Sequence, residues 1–207
     1  MNNLAVVIVS CDRNAWLWSA WYHYFAKNFG FKYPVYLLNE TQLINFPDVT
    51  QILVDIPEIN LWTKRLRESV AQIPEDDLFI MMDDFLIKKR IPFADMYDTF
   101  KAVGCDSLRI MPDPDKLCKR VPVDLYGAMY ELTEDSDYKI SYSPNIWKKS
   151  FLLRCIQKDE SPWVSEVHGS QRVRGAYLLS TTVTDWYIGA VRRGKLIEEG
   201  KQLIEKI

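Results

Sequence analysis

The stretch LFIMMDDFLI, residues 78–87, places two adjacent carboxylates, Asp83 and Asp84, at the end of an otherwise apolar run. A run of this composition predicts a buried strand. Buried charges need compensation and neighbouring carboxylates repel each other, so the simplest partner is a cation. Carboxylate oxygens suit Mg²⁺ or Mn²⁺, particularly where phosphate oxygens complete the coordination shell. The pair therefore predicts a metal–diphosphate site, with an ordinary pair of surface turn residues as the alternative.

Strand-like and helix-like segments alternate through the first half of the chain. The strand-like segments are β-branched or apolar runs at 4–10, 34–39 and 51–54, and the amphipathic segments are 15–29 and 60–73. This order predicts an α/β sandwich with a mainly parallel sheet. Because ligands of such sheets bind beyond the carboxyl ends of the strands, we expect Ser10 and Asp12 to share one cleft with the acidic pair.

The second half is less regular, and its pattern predicts a mixture of helices and edge strands. Helices are predicted at 92–103, 146–156, 161–172 and 194–207, the third with Ser161 as its cap and Pro162 in its first turn. Strands are predicted at 106–111, 126–132 and 138–144, the last two as an antiparallel edge, and residues 111–116 predict a Pro-punctuated loop. No repeat or linker interrupts the chain, so residues 1–207 predict one domain.

The composition excludes several classes of function. The 207 residues are 48% hydrophobic and 26% charged, with a net charge of −2, which gives no general attraction to nucleic acid. No apolar run approaches the length of a membrane span, and the N-terminus lacks the basic region of a signal peptide. The four cysteines are scattered, which favours free thiols over a metal cluster or a disulfide framework.

Two segments of the first half supply candidate ligand-binding residues. Ser10 and Asp12 lie in the loop SCDRN after the first strand, where backbone amides and a carboxylate can hold a base and a ribose. Trp62, Lys64 and Arg65 lie in one helical turn, where the two cations can meet a diphosphate. The alternatives are a plain capped turn for the loop, and a solvated helix face with Trp62 in the core.

The second half supplies a second group of candidates. Trp163 offers a flat platform for a sugar ring, and Glu166 lies three residues further along the same predicted helix. A carboxyl group beside an aromatic wall has a raised pKa and suits a general base, with His168 as the fallback. Arg193 and Lys195 belong to a basic cluster that can clamp phosphate. The alternatives are an amphipathic helix with a buried Trp163 and an exposed Glu166, and a basic cluster that simply begins a solvated helix.

Taken together, these blocks resemble bacterial glycosyltransferases of the GT-A type. The resemblance rests on five blocks in order, over about residues 4–195: VVIVSCDRN, WTKRL, MMDDFLI, NIWKKSFL and ESPWVSEVHGS. It is nearest to small enzymes of capsule and lipopolysaccharide gene clusters. The acidic motif of that family usually reads Asp-x-Asp or Asp-Asp-Asp. Here Asp83 and Asp84 match it, and the third carboxylate is missing.

The resemblance implies a nucleotide-diphosphate-sugar donor bound by about residues 1–90 and an acceptor bound by about residues 91–207. Glu166 matches the position of the base in inverting members, and Asp12 matches the loop that touches the nucleotide. The implied enzyme is cytoplasmic, with peripheral contact at the inner membrane as an open question. It transfers a sugar to a glycan or lipid-linked acceptor in surface polysaccharide synthesis, with Mg²⁺ or Mn²⁺ at the acidic pair.

Two other functions stay open from the residues alone. A metal-dependent nucleotidyltransferase is disfavoured because SCDRNAW has no Gly-rich loop after the first strand. A non-catalytic protein that binds a glycan or a partner through its aromatic surface is consistent with the missing third carboxylate. The sequence does not specify the donor, the acceptor, the stereochemical outcome or the oligomeric state.

Overall fold

A computed structural model describes residues 3–110, 120–122, 129–180, 183 and 185–207. Within these ranges the chain forms a mixed α/β structure around one large sheet. Its strands are β1 Leu4–Val9, β2 Val35–Asn39, β3 Thr50–Leu53, β4 Asp77–Met82, β5 Phe85–Ile87, β6 Ser107–Ile110, β7 Arg120–Pro122, β8 Met129–Leu132, β9 Asn145–Lys148, β10 Tyr177–Ser180, β11 Tyr187–Gly189, β12 Val191–Arg192 and β13 Lys195–Leu196.

The helices lie mainly on the two faces of the large sheet. They are α1 Trp18–Asn28, α2 Trp62–Val70, α3 Phe93–Val103, α4 Lys149–Cys155, α5 Pro162–Arg172 and α6 Glu198–Ile204, with short 3-10 helices at Asp12–Leu17 and Ile59–Leu61. Ser161 caps α5, its hydroxyl accepting the Val164 N–H at 3.4 Å, as the sequence predicts. No helix in the described ranges has both the length and the apolar content to cross a membrane.

The large sheet has nine strands in the order β3-β2-β1-β4-β9-β6-β10-β8-β7. Strands β3, β2, β1 and β4 are parallel, as are β6 and β10. Strand β9 runs antiparallel between β4 and β6, and β8 and β7 form the antiparallel edge. This confirms the prediction of a mainly parallel α/β sheet with an antiparallel edge. The carboxyl ends of β1, β2, β4 and β6 consequently lie on one side of the sheet, called here the carboxyl edge.

Two hydrophobic layers cover the faces of this sheet. Alternate residues of β1 point to opposite faces, and the whole strand is buried, as expected for a central parallel strand. One layer contains apolar residues of α1 and α3, including the buried Trp21 and Phe100. The other contains apolar residues of α2 and α4, including Leu66 and Phe151. The helices therefore sandwich the sheet and leave its carboxyl edge to the loops.

The acidic stretch at residues 78–87 is divided by a turn. Strand β4 ends at Met82, and the chain turns at Asp83 and Asp84 before β5, which leaves the large sheet and pairs with β11. The prediction of an acidic pair at a strand end is confirmed, but the apolar residues after the pair belong to another sheet. Burial of Leu86 and Ile87 would be satisfied either in a continuation of β4 or in a separate strand. The pairing of β5 with β11 therefore decides where the strand divides.

Three predictions for the second half need correction. Residues 138–144 form no strand. Backbone groups of this segment bond to side chains of β6 and α5, such as those of Arg109 and Glu166. Residues 145–148 are strand β9, so the helix predicted at 146–156 begins only at Lys149. The predicted helix at 194–207 begins at Glu198, because Arg193 and Gly194, with φ of 52° and 73°, form the tight turn between β12 and β13. The loop predicted at 111–116 lies outside the described residues.

Candidate active site at the carboxyl edge

The loop after β1 and the turn after β4 meet at the carboxyl edge. Val9 pairs with Met82 in the parallel ladder, so Ser10 and Asp83 are the next residues of neighbouring strands. The Ser10 hydroxyl donates a hydrogen bond to Asp83 Oδ2, which joins positions 73 residues apart in the sequence. The two segments are therefore in direct contact, and their use as one ligand site stays a prediction.

Asp83 is enclosed by hydrogen-bond donors of the first loop and α1. Its Oδ1 accepts the Asn14 amide at 3.0 Å, and Trp18 Nε1 donates to the Ser10 hydroxyl at 2.7 Å. The residue is only 2% exposed. Burial, with a further contribution from the negative charge of Asp84, raises the pKa of Asp83 to about 7, against the opposing effect of the Ser10 hydrogen bond. Both carboxyl oxygens are therefore engaged inside the protein.

Asp84 is the more accessible member of the acidic pair. Its backbone carbonyl accepts the Ala190 N–H at 2.8 Å, and its carboxyl group accepts the Val191 N–H. Burial raises the pKa of Asp84 to about 6. Because it is half-buried, Asp84 is the better candidate to contact a ligand or a metal ion from the solvent side.

The acidic pair supplies two carboxylates for a metal ion. No group of three or more His, Cys, Asp or Glu residues with a metal-binding arrangement occurs among the residues that the structure describes. Mg²⁺ commonly binds through one or two carboxylates and keeps waters and phosphate oxygens in its remaining positions. The buried acidic charge fits a divalent cation held in this way, with Asp84 as its main protein ligand. Metal binding at Asp83 and Asp84 stays a prediction.

Arg65 braces the loop after β1 from below. It is 5% exposed, forms an ion pair with Glu40, and donates from Nη2 to the Ser10 carbonyl at 3.1 Å. The buried guanidinium thereby fixes the backbone at Ser10, at the carboxyl edge. Its predicted contact with a diphosphate stays a prediction. Its neighbour Lys64 is half-buried and forms no ion pair within the described part of the chain, so this cation is free to meet an anion.

Trp62 lies in the core, as the alternative interpretation of its segment predicts. It is 4% exposed and packs edge to face on Tyr142, with 4.5 Å between the ring centroids. Little of the ring surface is accessible, and its predicted contact with a donor stays a prediction. Its position still matters, since Tyr142 belongs to the segment that holds Glu166.

Asp12 organises the loop after β2. Its carboxylate accepts the Asn39 amide at 2.7 Å, the Thr41 hydroxyl at 2.6 Å and the Gln42 N–H at 3.1 Å. Burial alone raises the pKa of Asp12, but the hydrogen bonds from Thr41 and Asn39 outweigh it and lower this pKa below its ordinary value. Asp12 is thus ionised and largely satisfied by the protein. Its predicted contact with a nucleotide stays a prediction.

Glu166 lies on the inner side of α5. Its Oε1 accepts the Tyr142 N–H at 2.9 Å, and burial raises the pKa of its carboxyl group. The Tyr142 hydroxyl is 2.7 Å from the hydroxyl of Ser165, so the helix and the segment before β9 are joined at two points. A raised pKa is compatible with the predicted general base, and this role of Glu166 stays a prediction.

His168 and Trp163 occupy the outer part of the same helix. The His168 side chain is 62% exposed, and its Nδ1 lies 3.9 Å from Glu160, an acceptor that Arg172 also contacts. Trp163 is 67% exposed. The structure therefore separates the two predicted bases, Glu166 inside and His168 outside, and leaves the Trp163 ring accessible to a ligand.

Arg193 and Lys195 are exposed at the tip of the β12–β13 hairpin. With Arg192, Leu196 and Ile197 they line an open hollow. The base of this hairpin is anchored beside the acidic pair, because Ala190 donates to the Asp84 carbonyl and accepts the Ile197 N–H at 2.9 Å. The cluster is consequently tethered to the acidic turn by a few residues of chain.

The sequence interpretation overlooked Arg109, although β6 carried a visible signal. Arg109 interrupts the buried strand SLRI and is 2% exposed. Like the acidic pair, Arg109 is a charged residue inside an apolar run, and a buried charge needs a partner. Its guanidinium charge opposes the effect of burial on the pKa of Glu166 and of Tyr187. Glu40 was also overlooked, since its own segment is an ordinary loop.

The fold resembles solved structures of TarS from S. aureus. TarS 1-349 in complex with UDP-GlcNAc matches 98% of this chain and 64% of its own, at 13% identity and a TM-score of 0.60. The complex with UDP matches 88% and 59%, at 14% identity and a TM-score of 0.56. A longer TarS structure matches 91% and 36%, at 12% identity and a TM-score of 0.58. The chain thus spans between 36% and 64% of these proteins.

These matches establish the class of fold. TarS is a GT-A-type glycosyltransferase, so the predicted GT-A-like α/β architecture is confirmed. At 12–14% identity the likeness concerns the fold alone. No family model and no curated protein matches the sequence. The narrower resemblance to enzymes of capsule and lipopolysaccharide gene clusters stays a prediction.

Proposed function

We propose that this chain is a glycosyltransferase that moves a sugar from a nucleotide-diphosphate donor to a glycan or lipid-linked acceptor. The observation that carries the proposal is the convergence of Ser10, Asp83 and Asp84 at the carboxyl edge of a GT-A-like sheet. Ligands bind at this edge in open α/β sheets. The TarS structures with UDP and UDP-GlcNAc support a uridine diphosphate sugar as the first donor to test.

The donor diphosphate is proposed to lie near Asp84, within reach of cationic side chains. Lys64 lacks an ion-pair partner in the described ranges, and Arg193 and Lys195 project from a hairpin whose base is hydrogen-bonded to Asp84. Each supplies positive charge to a departing diphosphate. A Mg²⁺ or Mn²⁺ ion held by Asp84, with Asp83 behind it, would add Lewis-acid stabilisation of the same negative charge.

Glu166 is the proposed general base of an inverting displacement. Its carboxylate takes the proton of an acceptor hydroxyl as that oxygen forms a bond to the anomeric carbon. The bond between this carbon and the donor diphosphate breaks, and the nucleoside diphosphate leaves with the bonding electrons. Trp163, exposed on the same helix, is the proposed platform for the acceptor sugar. Synthesis of surface polysaccharide on the cytoplasmic side of the membrane is the proposed setting.

A non-catalytic glycan-binding role is the second candidate, and one observation favours it. Both oxygens of Asp83 are hydrogen-bonded inside the protein, so the acidic pair offers one readily available carboxylate. A protein that kept the fold but bound only glycan through Trp163 would tolerate this loss. A nucleotidyltransferase gains no support from the structure, because no Gly-rich loop follows β1.

A thermal-shift screen of UDP-, GDP-, CMP- and dTDP-sugars, with and without Mn²⁺, tests the proposal. A ligand at 100 times its dissociation constant adds about 2.7 kcal/mol of stability. We expect a Mn²⁺-dependent shift with one nucleotide sugar, which Asp84→Asn loses and Asp98→Asn, a change at an exposed position of α3, retains. Release of the nucleoside diphosphate in the presence of acceptor glycan then establishes turnover. Glycan binding without any donor effect would favour the second candidate.

A further inference from the structure

Arg109 is a buried cation that the proposed chemistry leaves without a task. It lies on β6, one residue before the carboxyl end of the strand, at 2% exposure. Burying a guanidinium costs free energy unless hydrogen bonds and charges compensate it. Its Nη2 donates to the carbonyl oxygens of Tyr138 and Lys139, at 2.6 Å and 3.2 Å. The side chain therefore grips the backbone of residues 138–142, called here the bridging segment.

The other end of the bridging segment is held by α5. The Ile140 N–H donates to the Ser170 hydroxyl at 2.8 Å, and the Tyr142 N–H donates to Glu166 Oε1 at 2.9 Å. The segment also approaches the helix closely, because a Cβ built at Gly169 would lie 2.7 Å from the Ile140 side chain. Two residues of backbone thus separate the atoms that Arg109 binds from the N–H that holds the Glu166 carboxylate.

We propose that Arg109 is the positioning residue for Glu166, fixing the bridging segment whose Tyr142 N–H orients the Glu166 carboxylate. This inference rests on the proposed function, in which Glu166 is the general base. The Arg109 guanidinium acts in two ways. It holds the backbone of the bridging segment by hydrogen bonds, and it places a positive charge near the Glu166 carboxylate. An arginine suits this task because its guanidinium stays charged while one of its nitrogens, Nη2, donates to both carbonyl oxygens.

The charged and titratable neighbours of Glu166 come from several elements. Burial has the largest effect and raises the pKa of Glu166, whereas the Tyr142 N–H, the Ser141 hydroxyl and, to a smaller extent, the charge of Arg109 on β6 lower it. The Tyr142 phenol faces Ser165, and His168 lies on the exposed side of α5 near Glu160. Arg109 is therefore the cation that acts on this carboxyl group from the sheet.

The test compares Arg109→Gln and Arg109→Lys with Arg174→Gln, which changes an arginine with 87% side-chain exposure. We expect Arg109→Gln to lower kcat by about tenfold or more, part of the 10²–10⁴ that a general base supplies, with little change in KM for the donor. Loss of the positive charge raises the pKa of Glu166, so the acidic limb of the kcat profile moves to higher pH. Arg109→Lys keeps the positive charge. We therefore expect its acidic limb to lie at the wild-type pH, whereas its kcat should recover only in part.

A second measurement follows the Glu166 carboxyl group without turnover. Carbon-13 NMR titration of labelled glutamate, with the signal assigned through Glu166→Gln, reports its pKa in each folded variant. An upward shift in Arg109→Gln, absent in Arg174→Gln, supports the proposal. Ser170→Ala releases the bridging segment from α5 if Arg109→Gln does not fold, and is expected to lower kcat in the same way.

The outcomes distinguish this inference from the proposed function. One outcome is that the wild type transfers sugar, while Arg109→Gln changes neither the acidic limb nor the pKa of Glu166. This result would overturn the positioning role and show that Arg109 is purely structural. A shifted pKa of Glu166 in a protein that transfers no sugar from any donor would support the coupling and overturn the proposed function instead.

Discussion

Charged side chains inside apolar surroundings mark the candidate site at the level of single residues. Asp83 and Arg109 each interrupt a buried run, and each is 2% exposed. Asp83 is neutral or charged according to pH, whereas an arginine stays charged at any physiological pH. The protein therefore has a titratable buried charge at Asp83 and a permanent buried charge at Arg109.

The stability of the protein is expected to depend on pH through Asp83. Burial raises the pKa of Asp83 to about 7 in the folded state, against about 3.9 in the unfolded chain. The folded state therefore holds a proton that the unfolded state loses, and stability falls as pH rises from about 4 to 7, by at most roughly 1.4 kcal/mol per unit of pKa difference. Asp83→Asn should unfold at a higher temperature than the wild type at pH 8 and show little gain at pH 4.5.

Thermal unfolding in EDTA, with Asp98→Asn as the exposed control, measures this difference. EDTA removes any stabilisation of the ionised pair by a bound divalent cation, which would mask the effect. A wild-type protein and an Asp83→Asn variant with the same dependence on pH would show that Asp83 is not desolvated in the folded state.

Glu166 and His168 provide a matched pair of substitutions on α5. In Glu166→Gln the amide oxygen still accepts the Tyr142 N–H, so the local structure should persist while turnover falls by a factor of ~10² or more. Donor binding by thermal shift should be unchanged. His168→Gln, at a 62% exposed side chain, should leave turnover within a factor of about two of the wild type, since it has no buried contact to lose. Near-normal turnover in Glu166→Gln would remove this residue from the mechanism.

The C-terminal hairpin and α6 show how an element is fastened to the site. Ala190 bonds to Asp84 and Ile197, and Gly200 of α6 packs directly against it. A side chain at position 200 would meet backbone atoms, because a Cβ built there lies 2.9 Å from the Ala190 Cα and carbonyl oxygen. Backbone cannot rotate away as a side chain can, so the close approach depends on glycine.

Gly200→Ala tests this packing because two effects oppose each other. Helix propensity favours alanine over glycine by about 1 kcal/mol, whereas overpacking costs about 1–3 kcal/mol. We expect the overpacking to win, with lower stability in urea unfolding and weaker donor binding, since the hairpin shifts at Asp84. Gln202→Ala, on the same helix at an exposed position, should be neutral or slightly stabilising. Greater stability of Gly200→Ala would mean that α6 moves away without consequence.

Strand β9 governs the organisation of the whole molecule. It comes from the second half of the sequence and lies between β4 of the first half and β6. Contacts at the helices join the same halves, since Thr63 hydrogen-bonds to Glu160 and Arg67 pairs with Asp159. The donor and acceptor parts predicted at about 1–90 and 91–207 therefore share one sheet and its covering layers.

This sharing predicts that the chain unfolds as one unit. We expect circular dichroism and tryptophan fluorescence to report the same urea midpoint for residues 1–207, as in a two-state transition. A fragment of residues 1–90 leaves β4 without its β9 neighbour and exposes its apolar edge, so it should not unfold cooperatively. Two separate midpoints, or a stable fragment, would divide the protein into two domains.

The sequence alone determined the architecture of the first half and the meeting of the two segments that form the candidate site. Periodicity and β-branched runs are local signals, so β1, β2 and α1 were predictable, as was the meeting of the SCDRN loop with the acidic turn at one sheet edge. The charge of the acidic pair within an apolar run was legible for the same reason. The internal strand β9 was not, because its sequence NIWK carries both strand and helix propensity.

The tertiary structure decided which charged groups are available and which are engaged. Arg65 binds Glu40, Asp83 binds Ser10, and Arg109 holds the segment that orients Glu166. These partners are distant in sequence, as with Ser10 and Asp83 at a separation of 73 residues, and local periodicity carries no record of them. Chain folding brings them together because each buried charge needs a donor or an opposite charge, and only the packed sheet specifies which one it meets.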